Sequence, residues 1–228
     1  DREKALKIHG EETSFKAVST DLPKSVGMSK DGNKDIENIF DVRVFSYSKP
    51  ISLIKHLIES ANIKNGNVLD FFAGSGTTAH AVMELNKADG GNRKFICVQI
   101  DELTDKTKEA YKAGYKSIFD ITKARIEKAA NKISQETPDY QGDLGFKRFE
   151  TLPIFDGYLD NIERLEGEQT ELFDGSTLSK EQLEHLLTTW KVYDGIPLTQ
   201  PLIETDLVGY IAYRHDKLLY LMHQGFQT

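Results

Sequence analysis

The chain has 228 residues, enough for one sizeable hydrophobic core or for one domain with a smaller appendage. Hydrophobic residues make up 39% of it and charged residues 29%, as in an ordinary globular protein, and no apolar run approaches the ~20 residues that a membrane helix needs. The net charge of −7 argues against a surface that grips nucleic acid throughout, because phosphate binding depends on clustered Lys and Arg.

The cysteine and histidine content limits the kinds of site that the chain can hold. Cys97 is the only cysteine, which excludes an internal disulfide and a cysteine-cluster zinc site. Its apolar neighbours predict a buried, inert side chain. We predict no metal site, because none of the histidines shows the spacing typical of metal ligands; they are His9, His56, His80, His185, His215 and His223.

Residues 1–44 show little periodicity, and we expect them to form an extended lead-in that packs only in part. Residues 45–155 carry the strongest periodic segments and are predicted to form the main domain, followed by a small α+β appendage over residues 156–228. The polar N-terminus shows no signal-peptide pattern. Because it also lacks an initiating Met, we expect the chain to be part of a longer protein.

A helix is predicted directly after Lys49-Pro50. Pro50 suits the first turn of a helix, and Ser48 can serve near its cap. By themselves, these residues indicate only the start of a helix. The apolar residues that follow recur at helical spacing and form one face: Ile51, Ile54, Leu57, Ile58 and Ala61.

The segment 67–80, NVLDFFAGSGTTAH, organises the rest of the chain. Its apolar run ends at Asp70 and predicts a buried strand, Gly74 and Gly76 predict a tight turn, and Thr77 opens a helix. Glycine permits positive φ and close approach to a ligand, and the first N–H groups of the helix point at whatever lies over the turn. The pattern therefore predicts a site for a nucleotide-like molecule.

Two other interpretations of this turn stay open on the residues alone. One is a strand-to-helix turn without a ligand. The other is NAD binding, because Gly74-x-Gly76-x-x-Ala79 also fits the dinucleotide fingerprint. The carboxylate of Asp70 would be awkward beside a pyrophosphate, since like charges repel.

The run KFICVQI over residues 94–100 is typical of a strand that is buried on both faces. Strand, turn, helix and second strand form a βαβ unit, which predicts parallel strands and a right-handed crossover. Ligands bind at the carboxyl ends of such strands. This edge should place Asp70 beside residues 99–102.

Further elements are predicted along the remaining chain. The cations Lys123, Arg125, Lys128 and Lys132 are assigned to a solvated helix face, with Glu127 between them. The predicted elements are a charged helical insert over 103–114, a helix over 118–133, a strand over 146–152, a helix over 178–190, and a hairpin of strands 207–214 and 217–223 that turns at His215-Asp216.

Three stretches stand in one order along the chain: FSYSKPISLIKHLIE, NVLDFFAGSGTTAHAVMELN and GGNRKFICVQIDE. With PKSVG, KDIENIF, YKSIFDITKARIEKAANKI and DLGFKRFE, they resemble the methyltransferase (Mod) subunit of a Type III restriction-modification system, a beta-group DNA adenine-N6 methyltransferase. The resemblance covers most of residues 22–150 and, more loosely, the C-terminal appendage. It implies an α/β, Rossmann-like fold for a methyltransferase dependent on S-adenosyl-L-methionine (AdoMet). That fold is a mostly parallel sheet with flanking helices, partial here.

The resemblance also implies where AdoMet is bound. Lys49 and Pro50 match the element that closes over its methionine end, and the glycine turn matches the loop that wraps it. Gln99 falls where many relatives outside the Type III group carry an acid that holds the ribose. Asp101 is the rival ribose partner, and the sequence does not decide between them. The implied cofactor-binding residues are Lys49, Pro50, Asp70, Phe72, Ala73, Gly74, Ser75, Gly76, Thr77, Thr78, Gln99 and Asp101.

The catalytic motif of such enzymes, Asp or Asn followed by Pro-Pro and Tyr or Phe, is absent, because no two of the six prolines are adjacent. We therefore assign no catalytic residue and expect this chain alone to be inactive. The resemblance implies a C-terminal part of a cytoplasmic enzyme that meets duplex DNA through an upstream half, forms a Mod homodimer and can bind a restriction (Res) subunit. The alternatives are a non-catalytic protein-interaction module with a degenerate nucleotide-binding fold, and an NAD-binding Rossmann domain.

Overall fold

The computed structural model describes the backbone of residues 4–8 and 11–15, and residues 21–151 and 179–221 in full. The chain divides into two compact units, Asp1–Gly145 and Phe146–Thr228. Within the described ranges, no helix combines the length and the apolar character needed to cross a membrane.

The first unit carries the parallel strand pair and most of the helices. It begins with an antiparallel pair of short strands and a 3-10 turn at Lys24–Val26. In chain order its elements are β1 (Lys4–Ile8), β2 (Glu11–Phe15), α1 (Ser29–Phe40), α2 (Ile51–Ser60), β3 (Asn65–Asp70), α3 (Thr77–Asp89), β4 (Asn92–Cys97), the single turn α4 (Glu109–Lys112) and α5 (Ile118–Glu136).

The predicted strand-turn-helix-strand unit is confirmed. β3 and β4 pair in parallel, with α3 between them in sequence. Burial of β4 on both faces was predicted and is wrong for the described chain, because no described element covers the face opposite α3. Val68 and Phe95 are half-buried, whereas Leu69 and Ile96 are about half exposed, at 49% and 50%.

The extended lead-in predicted for residues 1–44 is wrong for residues 29–40, which form α1. The apolar residues of α1 are few, but Ile36, Ile39 and Phe40 follow helical spacing and are buried. They pack with Ile121 of α5 in one hydrophobic cluster. Few apolar residues therefore suffice here, because all of them fall on one face.

The C-terminal end of α3 is anchored to the start of β4 by Arg93, which is 5% exposed. Its Nη1 and Nη2 donate to the two carboxylate oxygens of Asp89 at 3.0 and 2.7 Å. Hydrogen bonding from Arg93 lowers the pKa of Asp89 to about 2. The side chain of Asn86 bonds both the N–H and the carbonyl of Arg93. Helix and strand are thus fixed together at the end remote from the glycine turn.

The second unit contains a helix and a three-stranded antiparallel sheet. The predicted helix is confirmed, and so is the predicted hairpin, apart from its bounds. Its first strand begins at Tyr210 and not at residue 207, because residue 207 ends the preceding strand and residues 208–209 form a turn. The hairpin turns at residues 216–217 rather than 215–216, and residues 222–223 lie outside the described range. The predicted strand 146–152 is wrong for residues 146–151, which form no regular element, and Leu152 lies outside the described residues. The elements are α6 (Lys180–Tyr193), β5 (Ile203–Leu207), β6 (Tyr210–His215) and β7 (Leu218–Tyr220).

Candidate cofactor site

The glycine turn between β3 and α3 requires glycine at two positions. Gly74 has φ +52° and Gly76 has φ +77°, a region that side chains with a Cβ rarely adopt. A Cβ on Gly76 would also lie 3.1 Å from the carbonyl oxygen of Thr122 in α5. The Gly76 N–H donates to the carbonyl of Ala73 at 2.8 Å, which closes the turn. The turn is therefore both tightly wound and pressed against a helix.

Asp70, at the end of β3, holds this turn from one side. One carboxylate oxygen accepts a hydrogen bond from the Phe72 N–H at 3.0 Å, and the other accepts one from the Thr78 hydroxyl at 2.5 Å. The carboxylate thus joins the beginning of the loop to the first turn of α3. Its negative charge lies beside the loop, where a cationic group of a ligand would be stabilised.

Gln99, two residues after the end of β4, holds the same turn from the other side. Its Oε1 accepts a hydrogen bond from the Gly74 N–H at 2.8 Å, and its Nε2 donates to the carbonyl of Ile100 at 3.0 Å. The predicted meeting of the two strand ends is found, since the Val98 N–H also donates to the Asp70 carbonyl at 2.8 Å. Asp101 is exposed and makes no hydrogen bond or ion pair with the described residues.

The segment containing Lys49 and Pro50 lies against the loop, as the resemblance implies. Buried Ser48 places its hydroxyl 2.9 Å from that of Ser75 and 3.3 Å from that of Thr77. Pro50 is buried and precedes α2, whereas Lys49 is exposed. Buried hydroxyl contacts therefore bring together two segments that are more than twenty residues apart in sequence.

Arg125 of α5 lies below the loop, and its predicted position on a solvated helix face is wrong. Its side chain is fully buried, with 0% exposure. It stands midway between Ile121 and Ala129, which are both buried, so helical spacing alone carried a signal for its position. Next to it, the hydroxyl of Thr122 donates to the carbonyl of Gly74 at 2.6 Å. α5 therefore supports the loop through two polar side chains.

Gly32 of α1 is a second residue that the sequence analysis did not connect with the site. A Cβ on Gly32 would lie 2.0 Å from the carbonyl oxygen of Ser48 and 2.8 Å from the carbonyl carbon of Lys49. The backbone of α1 thus touches the backbone of the segment that approaches the loop. No motif in the sequence indicates this contact, because Gly32 has ordinary helical φ and lies more than fifteen residues from Ser48.

Comparison with known proteins identifies the family. A family model described as "DNA methylase" matches residues 3–131, which is more than half of the chain, and one described as "Type III R-M EcoP15I C-terminal domain" matches residues 181–228. The chain belongs to the DNA methylase family. The resemblance to Type III Mod subunits is confirmed by the second match and by full-length relatives.

The chain is similar to the Mod subunits of three Type III restriction-modification enzymes. It is 42% identical over 216 residues to that of EcoPI from Escherichia phage P1, which covers 92% of the chain and 33% of the relative. The chain is 43% identical over 184 residues to the Mod subunit of EcoP15I from Escherichia coli, a match that covers 81% of the chain and 27% of the relative. It is 37% identical over 240 residues to that of StyLTI from Salmonella typhimurium, a match that covers 92% of the chain and 36% of the relative. The chain spans about a third of the length of these curated relatives.

The region that matches the DNA methylase family presents an apolar rim beside the loop. Phe72 is 90% exposed and Phe71 63% exposed, so neither ring is part of a core within the described residues.

Cys97 lies at the end of β4, and burial together with the Asp70 carboxylate raises the pKa of its thiol to about 11. The thiol therefore stays protonated at neutral pH and is a poor nucleophile. The described residues contain no cluster of three or more potential metal ligands.

Proposed function

We propose that this chain is the AdoMet-binding, C-terminal part of a site-specific DNA adenine-N6 methyltransferase, the Mod subunit of a Type III restriction-modification system. The observation that carries the proposal is the glycine turn inside the DNA methylase match. Its two positive-φ glycines, Gly74 and Gly76, lie between a parallel strand and a helix N-terminus. Asp70 and Gln99 fix the backbone of the turn by accepting hydrogen bonds from its N–H groups.

The residues at the turn fit the chemistry of AdoMet. The first N–H groups of α3 suit a carboxylate, the Asp70 carboxylate suits a cationic ammonium or sulfonium, and the exposed ring of Phe72 suits an adenine face. Lys49 and Pro50 lie in the segment next to the loop, where they would cover the methionine end. AdoMet, when bound, would supply an activated methyl group. The role of this chain is to hold and orient that donor.

The parallel strand pair supports a Rossmann-like fold that is partial in this chain. Leu69, Ile96 and Val98 are exposed on the face opposite α3, and a pair of strands with one bare apolar face is a small fraction of such a sheet. The relatives are about three times as long as the chain. We propose that another part of a Mod subunit covers this face and holds duplex DNA and the target adenine.

The assembly and domain assignments belong to the same proposal. As the family resemblance implies, we propose that the chain belongs to a Mod homodimer that can also bind a Res subunit. Residues 181–228 match a Type III C-terminal domain and are part of what the chain shares with Mod subunits. We propose residues 45–155 as the AdoMet-binding core and residues 156–228 as the appendage, with residues 1–44 before them; the boundary between the two compact units lies ten residues earlier, between Gly145 and Phe146.

Replacing Gly74 by Val should weaken AdoMet binding at least about tenfold, which corresponds to about 1.4 kcal/mol. Valine at φ +52° is strained, and its branched side chain would block backbone approach to the ligand. The measurement is isothermal titration calorimetry with AdoMet and S-adenosylhomocysteine, with NAD as the competing candidate.

The matched control for this variant is Gly90→Val. Gly90 also has positive φ, +67°, but it ends α3 at the far side from the loop, and a Cβ there meets nothing within 4 Å. Its variant should lose stability and keep AdoMet affinity. Unchanged AdoMet binding in Gly74→Val would refute the placement of the cofactor, and tighter binding of NAD than of AdoMet would refute the choice of cofactor.

Asp101→Ala should cost about 0.5–1.5 kcal/mol of AdoMet binding through loss of a ribose hydrogen bond. We assign the ribose to Asp101, because the Gln99 amide already bonds the Gly74 N–H and the Ile100 carbonyl, whereas the Asp101 carboxylate is exposed and makes no hydrogen bond with the described residues. Gln99→Ala should weaken binding through the loop instead.

A ligand that lacks one ribose hydroxyl separates these two roles. The Asp101→Ala variant should bind S-adenosylhomocysteine and its 2′- or 3′-deoxy analogue equally well, because the partner of that hydroxyl is gone. The Gln99→Ala variant should still prefer the ligand with the full ribose. The opposite pattern would assign the ribose to Gln99.

A further inference from the structure

Arg125 makes an unusual set of contacts in the middle of the first unit. Its Nη1 lies 2.8 Å from the hydroxyl oxygen of Ser75, 2.8 Å from that of Thr77 and 3.0 Å from that of Ser48. A guanidinium only donates, and Nη1 carries two hydrogens, so the three hydroxyl oxygens share these two hydrogens, at least one of them in a bifurcated hydrogen bond. A single nitrogen of α5 thus connects the glycine turn with the segment that contains Lys49.

The hydroxyls that accept from Arg125 keep their own protons for other acceptors. Ser48 Oγ and Thr77 Oγ1 each lie 3.4 Å from the Lys49 carbonyl oxygen, which can accept a hydrogen bond from either hydroxyl. The hydroxyls of Ser48 and Thr77 also lie within hydrogen-bond distance of the Ser75 hydroxyl. The cation below therefore orients a small hydroxyl cluster, defined here as Ser48, Ser75 and Thr77. This cluster lies directly under the backbone of the loop.

The charge of Arg125 is buried without a direct carboxylate partner. Within the described chain the Arg125 guanidinium makes no ion pair. Its Nε donates a hydrogen bond to Nδ1 of the His80 ring at 3.4 Å. Burial lowers the pKa of Arg125 to about 10, and the more distant carboxylates of Asp35 and Glu84 oppose that shift. Burying a cation against neutral hydroxyls is costly, and an apolar side chain of similar volume often serves folding as well.

The same guanidinium leaves one donor unused by the described residues. Nη2 is buried and has no hydrogen-bond partner among them. On the Nε side of the guanidinium, His80 connects Arg125 with Glu84, because His80 Nε2 lies 3.2 Å from a carboxylate oxygen of Glu84. The other carboxylate oxygen of Glu84 lies 3.3 Å from the Nζ of Lys55 in α2. Hydrogen bonding from His80 lowers the pKa of Glu84 to about 2, so its negative charge persists over the working pH range. Arg125 therefore lies where α2, α3, α5 and the loop are joined.

We propose that Arg125 is the positioning residue of the cofactor loop: through the hydroxyl cluster it locks residues 73–78 and the Lys49-Pro50 segment into one arrangement competent to bind the cofactor. The proposal rests on the AdoMet-binding function proposed above, but its structural core, the ordering of the loop by a buried cation, is measurable without any ligand. Arg125 acts through Ser48, Ser75 and Thr77 and does not itself touch the ligand.

The test compares Arg125→Met and Arg125→Lys with Arg93→Met in the 228-residue chain. Arg93 is the matched control, because it is similarly buried but anchors the opposite end of α3. In the ligand-free protein, amide hydrogen exchange over residues 73–78 should quicken about tenfold or more in Arg125→Met, beyond any change elsewhere in the chain. It should stay unchanged relative to the rest of the chain in Arg93→Met.

AdoMet affinity provides the second readout. Calorimetry should show a loss of about ten- to hundredfold in Arg125→Met and a smaller loss in Arg125→Lys, whose single ammonium keeps the charge but reaches fewer hydroxyls. Arg93→Met should bind as the parent does at a temperature where both are folded.

The outcomes separate this proposal from the function on which it rests. If the parent chain binds no AdoMet, the proposed function fails in this chain, and hydrogen exchange still decides whether Arg125 orders the loop. If the parent binds AdoMet and Arg125→Met binds it equally well with unchanged loop exchange, the positioning role is overturned while the function stands. Failure of both Arg125 variants to fold would also overturn it, because the guanidinium would then be a requirement of folding rather than of loop order.

Discussion

Gly32→Ala should destabilise the first unit by about 3 kcal/mol or more, at the upper end of the cost of overpacking a core. At an exposed helical position the same change stabilises by about 1 kcal/mol, because alanine is the better helix former. The sign is reversed here because the new Cβ would lie 2.0 Å from the Ser48 carbonyl oxygen and within 3 Å of two further backbone atoms. Backbone cannot rotate away as a side chain can, so α1 or residues 48–49 must move.

Urea unfolding followed by circular dichroism measures this difference, with Asn38→Ala as the control. Asn38 lies on the exposed side of α1, where alanine adds helix propensity and meets no neighbour. We expect Asn38→Ala to be as stable as the parent or slightly more so. A Gly32→Ala variant of parental stability would show that α1 does not press against Ser48 in solution. In a folded but loosened variant, AdoMet affinity should fall too, because the Ser48 hydroxyl would leave Ser75.

Most local elements of the fold could be predicted from the sequence. The exceptions include the helical insert predicted over 103–114, which is only the single turn Glu109–Lys112, and the strand predicted over 146–152, which is wrong for residues 146–151. The strand, glycine turn and helix around Gly74 depend on neighbours in the chain: an apolar run, two residues able to adopt positive φ, and a helical pattern. The helix over 118–133 and the C-terminal hairpin follow from the same short-range rules. Where periodicity was sparse, as in residues 29–40, the helix was missed although its few apolar residues had helical spacing.

The contacts that hold the site together could not be predicted, because they join residues that are distant in sequence. Arg125 meets Ser48 across 77 positions and Ser75 across 50. In the sequence it is one of several cations along α5, and only its register with Ile121 and Ala129 distinguishes it from Lys123 or Lys128. The contact of Gly32 could not be predicted either, because close approach between two backbones produces no residue pattern in either segment.

Burial of the strands was over-predicted for an instructive reason. A continuous apolar run such as FICV predicts a strand covered on both faces, yet Ile96 and Val98 are exposed in the described chain. The apolar run indicates how much of the strand is buried when every segment that packs on the sheet is present. This chain spans about a third of the length of its relatives, so segments that they contain can be missing from it. The difference between the two therefore supports the proposal that another part of a Mod subunit packs on this face.

The second large effect concerns the reaction itself: this chain alone should transfer no measurable methyl group to DNA, at least about 10³-fold less than a longer Mod subunit such as that of EcoPI. The loop around Gly74 can hold a methyl donor, but transfer also needs an acceptor held in line at near-attack distance. An adenine in duplex DNA must first be extruded into a pocket that bonds its amino group and stacks its ring. The sequence has no Pro-Pro-aromatic motif to build that pocket, and its net charge of −7 is unfavourable for holding DNA unaided.

A tritiated-methyl transfer assay on mixed-sequence duplex DNA tests this expectation, with the chain and the longer subunit assayed side by side. AdoMet binding is measured by thermal shift on the same preparation of the chain, so that a missing cofactor is not mistaken for a missing acceptor pocket. AdoMet affinity should be weaker in the chain than in the longer subunit, because the exposed face carrying Leu69 and Ile96 leaves one side of the site open to solvent. Methyl transfer by the chain at a rate near that of the longer subunit would contradict the assignment, since the acceptor pocket would then have to lie within these 228 residues.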